Sequence, residues 1–182
     1  MKKILLIVLL TFFKIGYSQD FEKLYKKVSN FESQEEYDNV DSDIQNAVDY
    51  LLNRPYKEET KKYYYAHKSL ITWMDGTSNY RIIIGGKLMD IIDEKSYLKN
   101  IYMASMTKYL LNEHLNNNRY VHPEKQEGIK FIDLPEVQEI LFKGGEIFME
   151  YLDKNDMSLL NKNLKKALKQ YKKGELRSFM FE

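Results

Sequence analysis

Residues 96–114, SYLKNIYMASMTKYLLNEH, decide the fold. Their apolar side chains recur every three or four positions and cover two adjoining faces of a helix. The first face holds Leu98, Ile101, Tyr102 and Tyr109, and the second holds Tyr97, Ala104 and Leu111. A helix that is apolar around most of its circumference is buried by its neighbours. We therefore predict a central helix over Ser96 to His114, with Ala104 and Ser105 small enough for another backbone to approach.

Helical spacing continues on both sides of this central segment. Ser42 and Gln45 fit a capping box, and Asp133 with Glu136 fits a second helix start. The isoleucines at 82–84 favour a strand, but no partner strand exists, so we predict an extended entry into the next helix. The predicted helices lie at 21–28, 42–52, 56–74, 88–92, 96–114, 133–151 and 158–173. The sequence therefore predicts an all-α fold, one compact domain of about six or seven helices over residues 19–182.

Two glycine pairs stand out within this pattern. Gly144-Gly145 lies inside a predicted helix, where glycine is unfavourable, and so predicts close helix contact or a kink. Gly85-Gly86 precedes it by 59 positions, an offset that also relates residues 50–53 to 109–112. In a true repeat, matched positions would have the same secondary structure. Here the helix predicted at 56–74 would correspond to the polar loop at 115–133. We therefore do not favour an internal repeat.

The amino terminus has the organisation of a secretory signal peptide. Lys2 and Lys3 precede the apolar run Ile4 to Phe13, and Gly16 and Ser18 follow as small residues. The run is about ten residues long, whereas a membrane-spanning helix needs about 20. We therefore predict that residues 1–18 are cleaved after Ser18 and that the protein is exported to the periplasm or the extracellular medium.

Charge and composition exclude several classes of protein. Loss of Lys2, Lys3 and Lys14 with the signal peptide would change the formal net charge from +1 to −2, which gives no bulk attraction for nucleic acid. The chain has no cysteine, so it cannot be a lipoprotein anchored through one. The composition predicts a soluble exported protein that does not bind nucleic acid.

No catalytic or metal-binding signature is present. His67, His114 and His122 lack the spacing of a zinc protease, and no nucleophile motif occurs. We therefore predict no metal and no cofactor, and a function without catalysis. The alternative is an enzyme whose carboxylates and histidines converge only in three dimensions; a deep pocket joining such a group to Trp73 would favour it.

Aromatic residues near turns suggest a binding surface. Tyr63-Tyr64-Tyr65 cannot all face one core if they are helical, so at least one ring should be exposed or covered by another element. Burial of these rings from two sides is the simpler explanation. The segment from Trp73 to Tyr80 and the long loop Asn116 to Ile132 are the other candidates, because loops on rigid scaffolds carry binding residues. The predicted surface comprises Tyr64, Tyr65, Trp73, Asp75, Thr77, Tyr80, Arg119 and His122.

The helix predicted over Ser158 to Lys173 is basic and amphipathic. Its leucines form one stripe and its lysines surround the rest. Such a helix can lie on anionic lipid, but the stripe has the width of a helix docked on its own domain. We expect packing, with membrane contact as the alternative.

At residues 73–77, WMDGT, followed by Tyr80 and by MASM at 103–106, the chain resembles uncharacterised helical secreted proteins of Bacteroidetes-type bacteria. The signal-peptide end at residues 17–19 is also similar to theirs, and the resemblance covers residues 56–111. It implies no known activity. The sequence thus predicts an exported helical protein that binds a protein or a small ligand; the alternatives are the enzyme and an immunity-type or inhibitor-type partner of a secreted toxin.

Overall fold

The computed structural model describes residues 20–55, 60–93, 97–155 and 160–182. These residues form nine α-helices, one 3-10 helix and no strand, so the all-α prediction is confirmed. The short helices α2 and α9 were not predicted. The predicted signal peptide lies outside the described residues. The helices are α1 (Phe21–Val28), α2 (Gln34–Asp38), α3 (Asp41–Leu52), α4 (Lys61–Gly76), α5 (Lys87–Ile91), α6 (Leu98–Asn117), α7 (Pro135–Lys154), α8 (Lys162–Lys172) and α9 (Leu176–Phe181), with the 3-10 helix at Phe131–Asp133.

Helix α6 is the buried central helix that the sequence predicts, since half of its residues are buried. It packs against α3 on one side and α7 on the other. The Gln45 Nε2 atom donates to Asn112 Oδ1 at 2.5 Å, and Lys108 Nζ lies 2.7 Å from Asp49 Oδ1. Residue numbers thus rise along α3 as they fall along α6, which makes the two helices antiparallel.

Helix α4 also packs on α3, and α1 covers another side of α4. The first turns of α4 and α6 border one pocket, whereas Tyr80, just after α4, contacts His114 near the end of α6. The two helices therefore run in the same direction. Their amino ends and their carboxyl ends form two different regions of the molecule.

The contact between α6 and α7 depends on Gly144. A Cβ atom at this position would lie 2.9 Å from Met106 Cα, closer than side-chain packing allows. The predicted close helix contact is confirmed, and it lies beside Ala104 and Ser105. By contrast, Gly86 precedes α5 with a φ of 83°, so the two glycine pairs belong to different kinds of element. This difference argues against a repeat with an offset of 59.

Two predicted helix starts were wrong. Helix α3 begins at Asp41, before Ser42, because the Asp41 carboxylate is buried against the rest of the fold. The observed capping box is at Ser33, whose backbone N–H donates to the Glu36 carboxylate at 3.0 Å. Helix α7 begins at Pro135 behind the fully buried Leu134, while Asp133 belongs to the 3-10 helix. At both sites, burial of a neighbouring side chain decides the boundary.

The ends of α4 also differ from the prediction. Thr60 caps the helix, accepting a hydrogen bond from the Tyr63 N–H at 3.1 Å, and residues 56–59 lie outside the described residues. The helix continues through Gly76, so the predicted turn at 75–79 begins later. Residues 80–85, predicted as an irregular or extended entry into the next helix, form neither helix nor strand.

Helix α8 packs through its leucine stripe, as predicted. Leu164, Ala167 and Leu168 are buried, and the helix contacts α5, α7 and α9. This packing leaves no apolar stripe on α8 to enter a bilayer. Among the described residues, no helix is both long enough and apolar enough to span a membrane.

Candidate functional site

A pocket of about 570 Å³ lies between the amino ends of α4 and α6. We call it the tyrosine pocket, because four of its lining residues are tyrosines. Three of them are the consecutive tyrosines 63–65 of α4, and the fourth, Tyr97, immediately precedes α6. The lining residues are Thr60, Lys61, Tyr63, Tyr64, Tyr65, His67, Tyr97 and Asn100.

The rim of the tyrosine pocket exposes aromatic rings. Tyr64 is 53% exposed and Tyr97 is 64% exposed. Tyr65 is half-buried, with its ring centroid 5.2 Å from that of Tyr64 and 5.9 Å from that of Tyr25. Burial of all three consecutive tyrosines from two sides, the simpler explanation, does not hold for Tyr64, whereas Tyr63 and Tyr65 are half-buried. Since α1 supports Tyr65 from behind, the exposed rings stand on a packed base.

The charged groups near the tyrosine pocket are mainly cationic. Lys61 Nζ lies 3.1 Å from Glu22 Oε2 and 5.8 Å from the centre of the Tyr65 ring. Lys68 Nζ lies 5.8 Å from the centre of the Tyr64 ring. Among the described residues that line the pocket, none is a carboxylate, so these residues offer no countercharge to a cationic ligand.

His67 provides a neutral polar group in the tyrosine pocket. Its burial, and secondly the charge of Lys68, lowers the pKa of the imidazole, while a hydrogen bond with Asn100 acts in the opposite direction. The Nε2 atom is buried and has no hydrogen-bond partner within the described part of the chain. A buried polar atom without a partner is costly.

A second polar cluster lies at the opposite ends of the same helices. It consists of Asp41, Trp73, Tyr80, His114 and Tyr120, and we call it the Asp41 cluster. The Tyr80 hydroxyl donates to the Asp41 carboxylate, and His114 Nε2 lies 3.8 Å from Asp41 Oδ2. Burial raises the pKa of the Asp41 carboxyl to about 6, although the hydrogen bond from Tyr80 acts against this shift.

Aromatic contacts close the Asp41 cluster. The rings of His114 and Tyr120 are stacked with centroids 4.1 Å apart, and Tyr80 lies 5.4 Å from Tyr120 and 5.0 Å from Trp73. Trp73 is fully buried and donates its indole N–H to the Tyr37 carbonyl at 3.3 Å. Carboxyl, imidazole and phenol groups can exchange protons. In this cluster, however, Asp41 is only 2% exposed.

The structure corrects the predicted surface between Trp73 and Tyr80. Trp73, Thr77 and Tyr80 are buried: α2 contacts Trp73 through Tyr37 and Thr77 through Gln34, and Tyr80 is covered by Asp41 and Tyr120. Only Asp75 of the predicted residues in this segment is exposed. The aromatic rings here belong to the core and are not an open surface.

Arg119 and His122 lie beyond α6. The Arg119 guanidinium donates to Glu113 Oε2 at 2.7 Å and to Glu139 Oε1 at 2.5 Å, which ties this segment to α7. These bonds lower the pKa of Glu139, mainly through Arg119. His122 is half-buried. Neither residue lines the tyrosine pocket.

The structure thus brings Tyr64 and Tyr65 together with residues that sequence reasoning missed. These are His67, Tyr97 and Asn100. Tyr97 could have been noticed as an aromatic residue at the edge of a central helix, but no local signal pairs it with Tyr64, 33 positions earlier. Within the described ranges, no group of three His, Asp or Glu side chains is arranged to hold a metal ion.

No protein-family model, curated protein or solved structure matches this chain. The resemblance to helical secreted proteins therefore stays a prediction. The site is argued from its own geometry alone.

Proposed function

We propose that the protein is an exported helical protein without catalytic function that binds a small ligand in the tyrosine pocket. One observation carries this proposal: four tyrosines, one histidine and one asparagine line a single pocket of about 570 Å³ between the amino ends of two helices that both pack on α3. Ligand pockets commonly measure about 300–1,000 Å³ and combine aromatic walls with a few polar groups. Tyrosine also suits binding because it offers a large amphipathic surface with few rotatable bonds.

The position of these side chains supports binding over packing. The rings of Tyr64 and Tyr97 are exposed, so a ligand that covers them would remove their surface from water. The rings of Tyr102 and Tyr109 are already buried in the core and have no such surface left. Helices α4 and α6 both pack on α3, so the two sides of the pocket are held by the same support. A pocket held in this way loses little conformational entropy on binding.

The binding proposal is tested by fragment screening with amide NMR. A library of uncharged, anionic and cationic fragments is added to residues 19–182, and the backbone signals are assigned. We expect a subset of fragments to shift Tyr64, His67, Tyr97 and Asn100, and the shifts to disappear in Tyr64→Ala and Tyr97→Ala. Tyr120→Ala is the matched control, since it removes an exposed tyrosine at the other end of α6. Shifts spread evenly over the surface would contradict a specific site.

Export is the second part of the proposal, and it rests on the sequence of residues 1–18. The full chain is produced in a bacterium with an outer membrane, and the cell is fractionated. We expect the protein in the periplasm or medium, beginning at Gln19 by mass spectrometry. Leu9→Arg should keep the uncut chain in the cytoplasm, because a charge disrupts the apolar run. An uncut wild-type chain in the cytoplasm would refute export.

Acid–base catalysis is the second candidate function, and the Asp41 cluster favours it. A carboxyl with a pKa of about 6 lies beside a histidine and close to Trp73, which is the combination expected for an enzyme. The test is hydrolysis of chromogenic ester, phosphate and glycoside substrates by the wild type and Asp41→Asn. Turnover that depends on Asp41 would favour the enzyme over the binding protein.

A further inference from the structure

The tyrosine pocket also indicates the class of its ligand, an inference that rests on the proposed function. We propose that the ligand is a saccharide that carries no positive charge, with a sugar ring stacked on the exposed tyrosines. Three properties of the pocket support this ligand class: its exposed rings, its polar side chains and the charge of its described residues.

The ring faces fit the apolar side of a sugar. Tyr64 and Tyr97 are each more than half exposed; Tyr64 lies in α4 and Tyr97 immediately precedes α6. The face of an aromatic ring is electronegative, so it attracts the weakly positive C–H groups on one side of a pyranose. A ligand with one flat apolar side and polar edges satisfies both the rings and the groups between them.

The polar groups favour a ligand with many hydroxyls over a wholly apolar one. Asn100 has both a donor and an acceptor in its amide, and the His67 imidazole lines the pocket beside it. A hydroxyl can donate and accept, so it can bond with either group. An apolar ligand would cover these atoms without pairing them, which costs affinity.

The charges of the described residues disfavour an amino sugar or another cation. Lys61 lines the pocket and Lys68 lies over the ring of Tyr64, whereas the described lining residues include no carboxylate. The Glu22 carboxylate, 3.1 Å from Lys61, is also paired with Lys26. A cationic ligand would therefore meet like charges, and a neutral or acidic saccharide would not. The volume of about 570 Å³ is in the range that holds ligands of this size.

The inference is tested with an array of immobilised oligosaccharides in three classes: neutral, uronate-containing, and amino sugars with free amines. The probe is residues 19–182 with a fluorescent label at the carboxyl end. We expect binding to a neutral or uronate-containing member and at least 10-fold weaker binding to the matched amino sugar. Tyr64→Ala and Tyr97→Ala should each reduce binding at least 10-fold, Asn100→Leu several-fold, and Tyr120→Ala less than 2-fold. Near-ultraviolet circular dichroism of Trp73 verifies that each variant is folded.

The outcomes separate this inference from the proposed function. If no saccharide binds but a peptide or fragment binds in a manner that depends on Tyr64 and Tyr97, the saccharide inference is wrong and the binding function stands. Preference for amino sugars would overturn the charge argument. If no saccharide, peptide or fragment shows this dependence on the tyrosines, both proposals fail.

Discussion

The tyrosine pocket and the Asp41 cluster lie at opposite ends of α4 and α6, and both combine tyrosines with one histidine. They differ in what covers them. At the carboxyl ends, the first residue of α3 and the segment after α6 enclose Trp73 and Tyr80, whereas at the amino ends Tyr64 and Tyr97 remain more than half exposed. Aromatic composition alone does not mark a site. Coverage by other elements decides whether aromatic rings stabilise the fold or remain available to a ligand.

The largest expected difference between the two ends is in stability. Trp73→Ala should lower the free energy of unfolding by about 3–5 kcal/mol, because it leaves a cavity in the core. Tyr64→Ala should change it by less than about 0.5 kcal/mol, as surface substitutions usually do. Urea unfolding followed by far-ultraviolet circular dichroism measures both values. Equal losses would show that the tyrosine pocket is part of the core.

The pH dependence of the Asp41 cluster should be the next largest effect. The pKa of Asp41 is about 6 in the folded protein and near 3.8 in the unfolded chain, so the folded state binds more protons between these values. The neutral Asp41 carboxyl therefore makes its full contribution to the free energy of unfolding below about pH 4. As the pH rises through about 6, this contribution is lost, and the free energy of unfolding falls by up to about 3 kcal/mol.

Comparison with a variant isolates this effect from other carboxylates, such as Glu139. Urea unfolding of the wild type and Asp41→Asn is measured from pH 4 to pH 8. The free energy of the wild type relative to Asp41→Asn should fall across that range. Asp75→Asn, an exposed aspartate at the end of α4, is the matched control and should show no such fall. A constant difference for Asp41→Asn would mean that its carboxyl is better solvated than the structure indicates.

Tyr80→Phe should have a smaller effect at the same end. It removes the hydroxyl that donates to the Asp41 carboxylate but keeps the ring beside Trp73. We expect a loss of about 1–3 kcal/mol at pH 8, where the carboxylate is ionised, and a smaller loss at pH 4. The pKa of Asp41 should rise further, as measured by carbon NMR of its carboxyl. An unchanged pKa would contradict the hydrogen bond.

The smallest expected effect is that of Tyr97→Phe on stability. Its ring is 64% exposed, and we expect a change below about 0.5 kcal/mol by urea unfolding. Tyr109→Phe is the matched control in the core, because it removes a hydroxyl that donates to Glu139 at 2.5 Å and should cost more. If Tyr97→Phe is the more costly change, its hydroxyl has a structural role.

The sequence predicted the elements of the fold better than their ends. The spacing of the apolar residues identified α6 as central and α8 as a helix docked on the domain. This worked because residues on the buried side of a helix recur every three or four positions. The caps at Ser42 and Asp133 were wrong because buried Asp41 and Leu134 set the first residues of α3 and α7. A local capping signal is worth about 1 kcal/mol, which tertiary burial readily exceeds.

For the candidate site, the sequence was again informative within one helix and misleading where distant segments cover the residues. Three consecutive tyrosines on a helix must point in different directions, so the sequence predicted that at least one ring is exposed or covered by another element; the structure shows that Tyr64 is the exposed one. The assignment of Trp73 and Tyr80 to an open surface was wrong, because it depended on segments far away in sequence. His114 and Tyr120, which contact Tyr80, are more than 30 positions from it.

By itself, the sequence determined the helical class, the central position of α6 and the close contact at Gly144, all of which depend on residue spacing along one helix. Only the tertiary structure decided that the first turns of α4 and α6 meet around Tyr64 and Tyr97, while their last turns are closed around Asp41. Helical periodicity states which side of a helix is buried. It does not state which ends are covered, since coverage depends on the path of the chain between helices.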